Sequence, residues 1–255
     1  MILKDKAVLI TGGSSGIGLE AANQFLANGA KVIITGRNQE RLDAAKKLYP
    51  TLITIKSDAG NQQDAISLFK QITELGGIDI LYNNAGVLTQ ASNLGMPNEQ
   101  HLKSAQYEMD INFLGVIHLN NLFLDMLKSR RESAIINTTS ILSYVPSIIE
   151  PTYSASKVAL RFYTESLRVH LKILKANVKV FELLPPVVAT EMTADRSGKK
   201  ITPEQLVKEL ISALKRDQFT IRVGDTRLVY LASRLFPKLA FRAVNPRKTY
   251  SQLQS

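Results

Sequence analysis

Short apolar runs alternate with longer amphipathic stretches along most of this chain. The runs are rich in β-branched residues, as buried strands are, and we predict strands at 7–11, 32–35, 52–57, 80–83, 134–138, 178–184 and 219–223. Between them, apolar residues recur every three or four positions, as in a helix with one buried face, for example at Ile66, Phe69, Ile72 and Leu75.

The early strands are nearly continuous apolar runs, which indicates a parallel sheet with helices on both faces. Alternating strands and helices imply right-handed crossovers, so the sequence predicts a doubly wound α/β fold. No internal repeat or Pro/Gly-rich linker divides the chain, and we expect one domain over 1–255.

The polar segment 189–202 lacks periodicity and lies between a strand and a predicted helix. Thr202 and Pro203 suit the cap and first turn of that helix. A loop at the carboxyl end of a strand is either a lid or an ordinary surface connection, and the sequence leaves both open.

Composition is that of a soluble globular protein, with 45% apolar and 21% charged residues among 255. The absence of cysteine excludes disulfides, thiolate metal sites and cysteine nucleophiles, and we assign no metal ligand. The first residues lack the parts of a secretory signal, and no run approaches the roughly 20 apolar residues of a membrane span. We expect a cytoplasmic protein.

Positive charge is concentrated in the last quarter of the chain. From Arg196 onward there are thirteen Lys and Arg against four Asp and Glu, which accounts for +9 of the net charge of +10. Such a local surplus, with no recognition motif, argues against nucleic-acid binding.

The C-terminal segment 226–255 mixes these cations with large apolar residues, namely Leu228, Leu231, Leu235, Phe236, Leu239 and Phe241. It is amphipathic enough to lie on an anionic membrane or to cover a partner. We favour a helix that packs on its own domain with a solvated basic edge, because Pro237 interrupts it.

A glycine-rich segment follows the first strand and opens a helix that runs toward Asn28. It comprises Gly12, Gly13, Ser14, Ser15, Gly16, Ile17 and Gly18. Glycines allow a tight turn and close backbone approach, and a helix N-terminus offers free amides to a pyrophosphate. In this context we predict a dinucleotide site rather than a simple turn.

The second strand ends at Gly36-Arg37, where an NAD site would usually place a carboxylate for the ribose diol. Arg37 suits a 2′-phosphate instead, so NADP (NADPH over NADH) is the expected cofactor, although an exposed arginine could also just begin a helix. Asp58 ends the third strand, where it could contact the adenine amino group or cap the next helix. Asn84 follows the fourth strand.

Tyr153 and Lys157 are four residues apart on a helix predicted to run to about Lys172. That spacing puts both on one face, where the ammonium would lower the phenol pKa by about two units. Ser140, thirteen positions earlier, could hold a carbonyl oxygen beside the phenol. Taken singly, Tyr-x-x-x-Lys on a helix and a serine in a polar loop are both common.

Taken together and in order, these motifs resemble those of the short-chain dehydrogenase/reductases over about 8–190. The resemblance rests on the glycine turn, Asn83-Asn84-Ala85-Gly86, Asn112, Ser140 and Tyr153-x-x-x-Lys157. It implies a single-domain Rossmann-type α/β fold with a seven-stranded parallel sheet, and a homodimer before a tetramer. It also implies that Tyr153 is the acid–base residue, that Ser140 orients the carbonyl and that Lys157 holds the nicotinamide ribose. Asn112, on a helix predicted from 106 to 127, would hold a water of a proton relay. The residues implied to contact the cofactor are Asn84, Val188 and Thr190.

One departure is Pro185-Pro186 after the sixth strand, where the family usually has Pro-Gly. A proline at 186 fixes φ and stiffens the loop beside the nicotinamide. This double proline and the tail resemble a bacterial subgroup encoded with the cell-wall D-alanylation genes.

The sequence therefore predicts an NADP-dependent oxidoreductase that transfers a hydride between the nicotinamide and a carbonyl or alcohol substrate. The alternatives are an NADP-sensing binding module and a peripheral membrane protein with little catalysis. We expect an apolar substrate lining from Leu88, Ile141, Leu142, Tyr144 and the loop after Thr190, which weakly favours a medium-sized carbonyl compound of little charge.

Overall fold

The computed structural model describes residues 1–89 and 93–253. Its strands are β1 (Ala7–Ile10), β2 (Lys31–Gly36), β3 (Ile53–Lys56), β4 (Ile80–Asn83), β5 (Ser133–Thr138), β6 (Val178–Leu184) and β7 (Thr220–Arg222). All pair in parallel in one sheet, ordered β3-β2-β1-β4-β5-β6-β7. The predicted strands and the α/β fold class are confirmed, with each strand boundary within one residue of the prediction.

The helices between the strands are α1 (Gly16–Ala27), α2 (Gln39–Leu48), α3 (Gln62–Glu74), α4 (Gln100–Met109), α5 (Gly115–Lys128), α6 (Pro151–Ile173), α7 (Pro203–Lys215), α8 (Thr226–Leu235) and α9 (Pro237–Val244). A π-helical segment, Asp110–Leu114, joins α4 to α5. Short 3-10 turns lie at Ile141–Ser143, Glu191–Thr193 and Arg247–Leu253.

Two hydrophobic layers sandwich the sheet. Val8 and Ile10 face the layer that includes α1 and α7, whereas Leu9 faces the layer that includes α3 and α5. Alternate residues of a strand point to opposite faces, which explains why the central strand β1 is apolar throughout.

Two helix predictions need comment. The helix expected at 106–127 begins earlier, at Gln100, and the π-helical segment interrupts it at the position of Asn112. The helix after Thr202 has the expected cap, since Thr202 Oγ1 accepts from Gln205 N at 3.2 Å and Gln205 Oε1 accepts from Thr202 N at 3.1 Å. Within the described residues, no helix is both long and apolar enough to cross a membrane.

Candidate active site

The glycine turn lies between β1 and α1, at the carboxyl edge of the sheet. Gly12 and Gly16 have φ of +62° and +51°, in the left-handed region that favours glycine. A Cβ on Gly12 would lie 2.9 Å from Ala85 Cα, and one on Gly18 would lie 2.2 Å from the Gly12 oxygen. The turn therefore packs against the end of β4 without room for side chains at Gly12 and Gly18.

Hydrogen bonds tie this turn to the end of β4. The Thr11 hydroxyl accepts from Asn84 N at 3.1 Å and from Ala85 N at 3.0 Å. The Asn84 amide donates back to the Thr11 and Gly12 carbonyls at 3.1 and 3.2 Å. The Asn84 side chain thus holds the turn in place, and the Thr11 hydroxyl, which belongs to the motif Thr11-Gly12-x-x-x-Gly16-x-Gly18, has a positioning role that was not predicted from the sequence.

A cleft of about 630 Å³ opens above the turn, within the usual range for ligand sites. Of the residues expected to contact a cofactor, those lining it are Gly12, Ser14, Ser15, Gly16, Ile17, Arg37, Asp58, Asn84 and Thr190. Those that do not line this cleft are Gly13, Gly18, Tyr153, Lys157 and Val188. A Cβ on Gly13 would lie 2.5 Å from Ile34 Cβ, so Gly13 serves packing between the turn and β2.

Two guanidinium groups line the end of the cleft beside β2. Arg37 hydrogen-bonds the Tyr107 hydroxyl and lies 3.8 Å from Asp58 Oδ2. The Tyr107 hydrogen bond is the main cause that raises the pKa of Arg37. Arg41, one helical turn later, pairs with Glu191 at 2.9 Å. Arg41 was not predicted from the sequence, although its i, i+4 spacing from Arg37 after β2 is a signal that could have identified it.

Asp58 does not cap α3, so that alternative is wrong. Its Oδ1 accepts from Gly60 N at 3.0 Å, in a turn that precedes the helix. The cap is Asn61, whose Oδ1 accepts from Asp64 N at 3.0 Å, as expected for a residue directly before the first helical turn. The Asp58 carboxylate is left facing the cleft, beside Arg37.

Ser140, Tyr153 and Lys157 come together at the ends of β5 and α6. The Lys157 ammonium lies 5.6 Å from the centre of the Tyr153 ring and donates to the Thr138 carbonyl at 2.9 Å. Ser140 caps the 3-10 turn after β5, where its Oγ accepts from Leu142 N at 3.1 Å, and its hydroxyl is close enough to the Tyr153 phenol to lower the pKa of that phenol. The predicted grouping of these three side chains is therefore present.

Burial dominates the electrostatics of this group. It raises the pKa of Tyr153 to about 12, against the smaller opposing effect of the nearby Ser140 hydroxyl. It also lowers the pKa of Lys157 to about 8. Among the protein's own groups, the expected lowering of the Tyr153 pKa by Lys157 is thus wrong, because burial disfavours the phenolate and Lys157 is not among the groups that lower this pKa.

Asn112 lies in the π-helical segment, a kind of irregularity that is frequent at functional sites. Its Oδ1 accepts from Val87 N at 2.8 Å, and its Nδ2 donates to the Val87 carbonyl at 2.9 Å and to Ser156 Oγ at 3.1 Å. A Cβ on Gly86 would lie 3.3 Å from Asn112 Oδ1 and 3.5 Å from Lys157 Nζ, so both side chains surround Gly86. The water-relay role remains a prediction.

Glu108 is a buried carboxylate beside this group that the sequence analysis missed. It accepts from the backbone nitrogen and hydroxyl of Thr89, each at 2.8 Å, and from the Thr152 hydroxyl. It therefore connects the loop after β4 to the residue before Tyr153, and its charge adds to the raised pKa of Tyr153. A glutamate within a helical stretch usually faces solvent, and nothing in the pattern marked this one.

The 189–202 loop is held at both sides of the cleft. Val188 and Ile201 pair in an isolated parallel β-bridge where the two ends of the loop meet. Glu191 pairs with Arg41 of α2, and Arg196 pairs with the buried Glu150 at the start of α6. The loop thus spans from the cofactor cleft to the helix that carries Tyr153.

The expected substrate lining is less apolar than the sequence indicated. Tyr144 accepts a hydrogen bond from Arg222 Nε at 2.8 Å, and the Arg161 guanidinium lies 4.4 Å from its ring centre. Its ring also packs on Tyr230 of α8, with centres 5.0 Å apart. Arginine groups therefore surround Tyr144, whereas Leu88 lines the cofactor cleft.

Both the sequence and the fold are similar to those of known proteins. A family model described as short chain dehydrogenase matches residues 6–200. The chain is 33% identical over 222 residues to "Uncharacterized oxidoreductase DltE" of Bacillus subtilis, covering 84% of this chain and 86% of that protein. Among solved structures, a short chain dehydrogenase from Burkholderia cenocepacia in complex with NADP has a TM-score of 0.84 at 25% identity, covering 96% and 99% of the two chains. One from Burkholderia phymatum in complex with NAD has a TM-score of 0.83 at 19% identity, covering 93% and 95%.

Proposed function

Because the chain belongs to the short-chain dehydrogenase family, we propose that it is an NADP-dependent oxidoreductase that reduces a carbonyl substrate. The observation that carries this proposal is the cluster of Ser140, Tyr153 and Lys157 at the same sheet edge as the glycine-turn cleft. A module that only senses the cofactor would not need this cluster or the buried Asn112 beside it.

The residues of the cleft fit a dinucleotide that carries a 2′-phosphate. The left-handed glycines leave backbone space for a pyrophosphate at the start of α1, and the guanidinium groups of Arg37 and Arg41 suit a phosphate dianion. In this assignment Asp58 faces the adenine, and Asn84, Val188 and Thr190 flank the nicotinamide half. The NADP bound by the Burkholderia cenocepacia protein is consistent with it.

The protonation state of Tyr153 matches the one that carbonyl reduction requires. With a pKa of about 12 the phenol is protonated at neutral pH and carries the proton that a carbonyl oxygen would accept. Ser140 would hold that oxygen, and Lys157 would hold the nicotinamide ribose while Asn112 holds a relay water. NADPH, when bound, supplies the hydride.

We also propose a homodimer formed through α5 and α6. Leu114 precedes α5, and Phe162, Val169 and Ile173 follow one another along α6; all four side chains are at least half exposed. Their spacing of seven and four residues places the three α6 side chains in one stripe along the helix. Two such stripes can cover each other across a two-fold axis.

The decisive experiment is the Tyr153→Phe variant, followed by NADPH absorbance with a panel of carbonyl compounds. Loss of the phenol proton should lower turnover at least ~10²-fold and leave NADPH affinity unchanged. Tyr163→Phe is the matched control, because Tyr163 lies on the same helix and only accepts a weak bond from Asn120 at 3.4 Å. Full activity of Tyr153→Phe would refute the mechanism. A wild-type protein that binds NADPH but reduces nothing would favour the sensing module.

A further inference from the structure

Five large apolar side chains are exposed together on the last two helices. Leu228, Leu231, Leu235, Phe236 and Leu239 are between 54% and 68% exposed, and we refer to them as the α8–α9 surface. Soluble proteins rarely expose such contiguous apolar groups without a binding role.

The geometry of α8 and α9 makes this surface continuous. Leu228, Leu231 and Leu235 recur at intervals of three and four, so they share one face of α8. Phe236 and Leu239 continue at the start of α9, which packs directly on α8. The expectation that this segment packs on its own domain holds for its inner face, where Tyr230 contacts Tyr144, but not for these five residues.

Cations border the apolar side chains. Arg227 and Arg234 on α8, and Lys238 and Arg242 on α9, are all exposed. From 226 to 255 the sequence contains six Lys and Arg and no Asp or Glu. Long basic side chains can keep their charge at a polar boundary while their neighbours enter an apolar phase.

The charge distinguishes the possible occupants of the surface. A second copy that met this surface across a two-fold axis would place the same cations against each other, which is unfavourable. An anionic lipid surface instead supplies negative charge at the border and an apolar phase beneath it. We propose that the α8–α9 surface docks the protein on membranes that contain anionic phospholipid.

Docking in this way requires no membrane-spanning helix. Two short amphipathic helices lying in the plane of the interface bury only their outer face. This agrees with the described part of the chain, which holds no helix able to span. The proposal is independent of the hydride-transfer function.

The test is co-sedimentation of the full chain with vesicles of phosphatidylcholine, with and without phosphatidylglycerol. We expect binding only to the phosphatidylglycerol vesicles. The double variant R234Q/K238Q should bind roughly 30-fold more weakly, since each Lys or Arg near an anionic surface contributes about fivefold. The double variant L235Q/F236Q should bind weakly even at low salt, because it removes the inserted groups.

The matched control is K47Q/L48Q at the end of α2, which also removes an exposed cation and an exposed leucine. Its binding should equal that of the wild type. All three double variants change exposed side chains, so their melting temperatures should stay close to that of the wild type, which checks that they fold. The proposal is overturned if the wild type does not bind phosphatidylglycerol vesicles, or if all three variants bind equally. It is also overturned if L235Q/F236Q converts a dimer to a monomer in light scattering, which would assign the surface to a second copy.

Discussion

Lys157 should make the stability of this protein depend on pH in a way that one substitution can isolate. Its side chain is almost fully buried, and burial lowers its pKa from 10.5 to about 8. Between these values the unfolded chain binds more protons than the folded chain, so the free energy of unfolding must rise with pH. Below about pH 8 the cost of burying the ammonium is largest, and it falls as pH rises from about 8 to 10.5.

The magnitude follows from the size of the shift. One pKa unit corresponds to about 1.4 kcal/mol, and linkage over the interval from about pH 7 to pH 10 gives a rise of roughly 2–3 kcal/mol. Measurements should stop near pH 10, because the raised pKa of Tyr153, about 12, has the opposite sign. A folded tyrosine that holds its proton longer loses stability as pH rises above about 10.

The assay is urea unfolding of the wild type and of Lys157→Met over this pH range. The wild-type free energy of unfolding minus that of Lys157→Met should rise with pH, because the titration of groups distant from residue 157 cancels in the difference. Lys172→Met is the control, since Lys172 is exposed near the end of the same helix, and its difference curve should stay flat. A flat or falling curve for Lys157→Met would refute the argument that burial governs this ammonium.

Three further predictions test other parts of the site. Arg37→Gln should raise the KM for NADPH about tenfold and leave the KM for NADH unchanged. The effect is modest because Arg37 is half exposed and already faces Asp58. Equal changes in KM for both cofactors would contradict a 2′-phosphate contact. Glu108→Ala should lower the free energy of unfolding by about 3 kcal/mol in urea titrations. Glu108→Gln should lower it by only about 1 kcal/mol, because glutamine retains one acceptor oxygen. Equal losses for the two variants would show that the hydrogen bonds of Glu108 contribute little to stability. Phe162→Asp should convert the proposed dimer to a monomer in light scattering, whereas Leu48→Asp should not, and a dimeric Phe162→Asp would place the interface elsewhere.

The strands were predictable because both faces of this sheet are buried. A strand covered on both sides is a nearly continuous apolar run, and that pattern is visible without knowing which strands are neighbours. The glycine turn was predictable from local geometry, since a backbone that combines positive φ with close approach to another segment favours glycine.

Charged residues were harder to place. Glu108 and Arg41 look like surface residues in the sequence, yet one is buried against Thr89 and Thr152 and the other lines the cofactor cleft. The π-helical segment around Asn112 was also missed, because one inserted residue hardly changes a helical pattern.

By itself, the sequence determined the order of strands and helices, the glycine turn and the spacing of Tyr153 and Lys157, since these depend on local backbone geometry and on periodicity. Only the tertiary structure decided how deeply Tyr153 and Lys157 are buried, and therefore in which direction their pKa values move. It alone also decided that the apolar face of α8 and α9 points outward. Burial depends on which distant segments cover a residue, and a pattern along one chain does not contain that information.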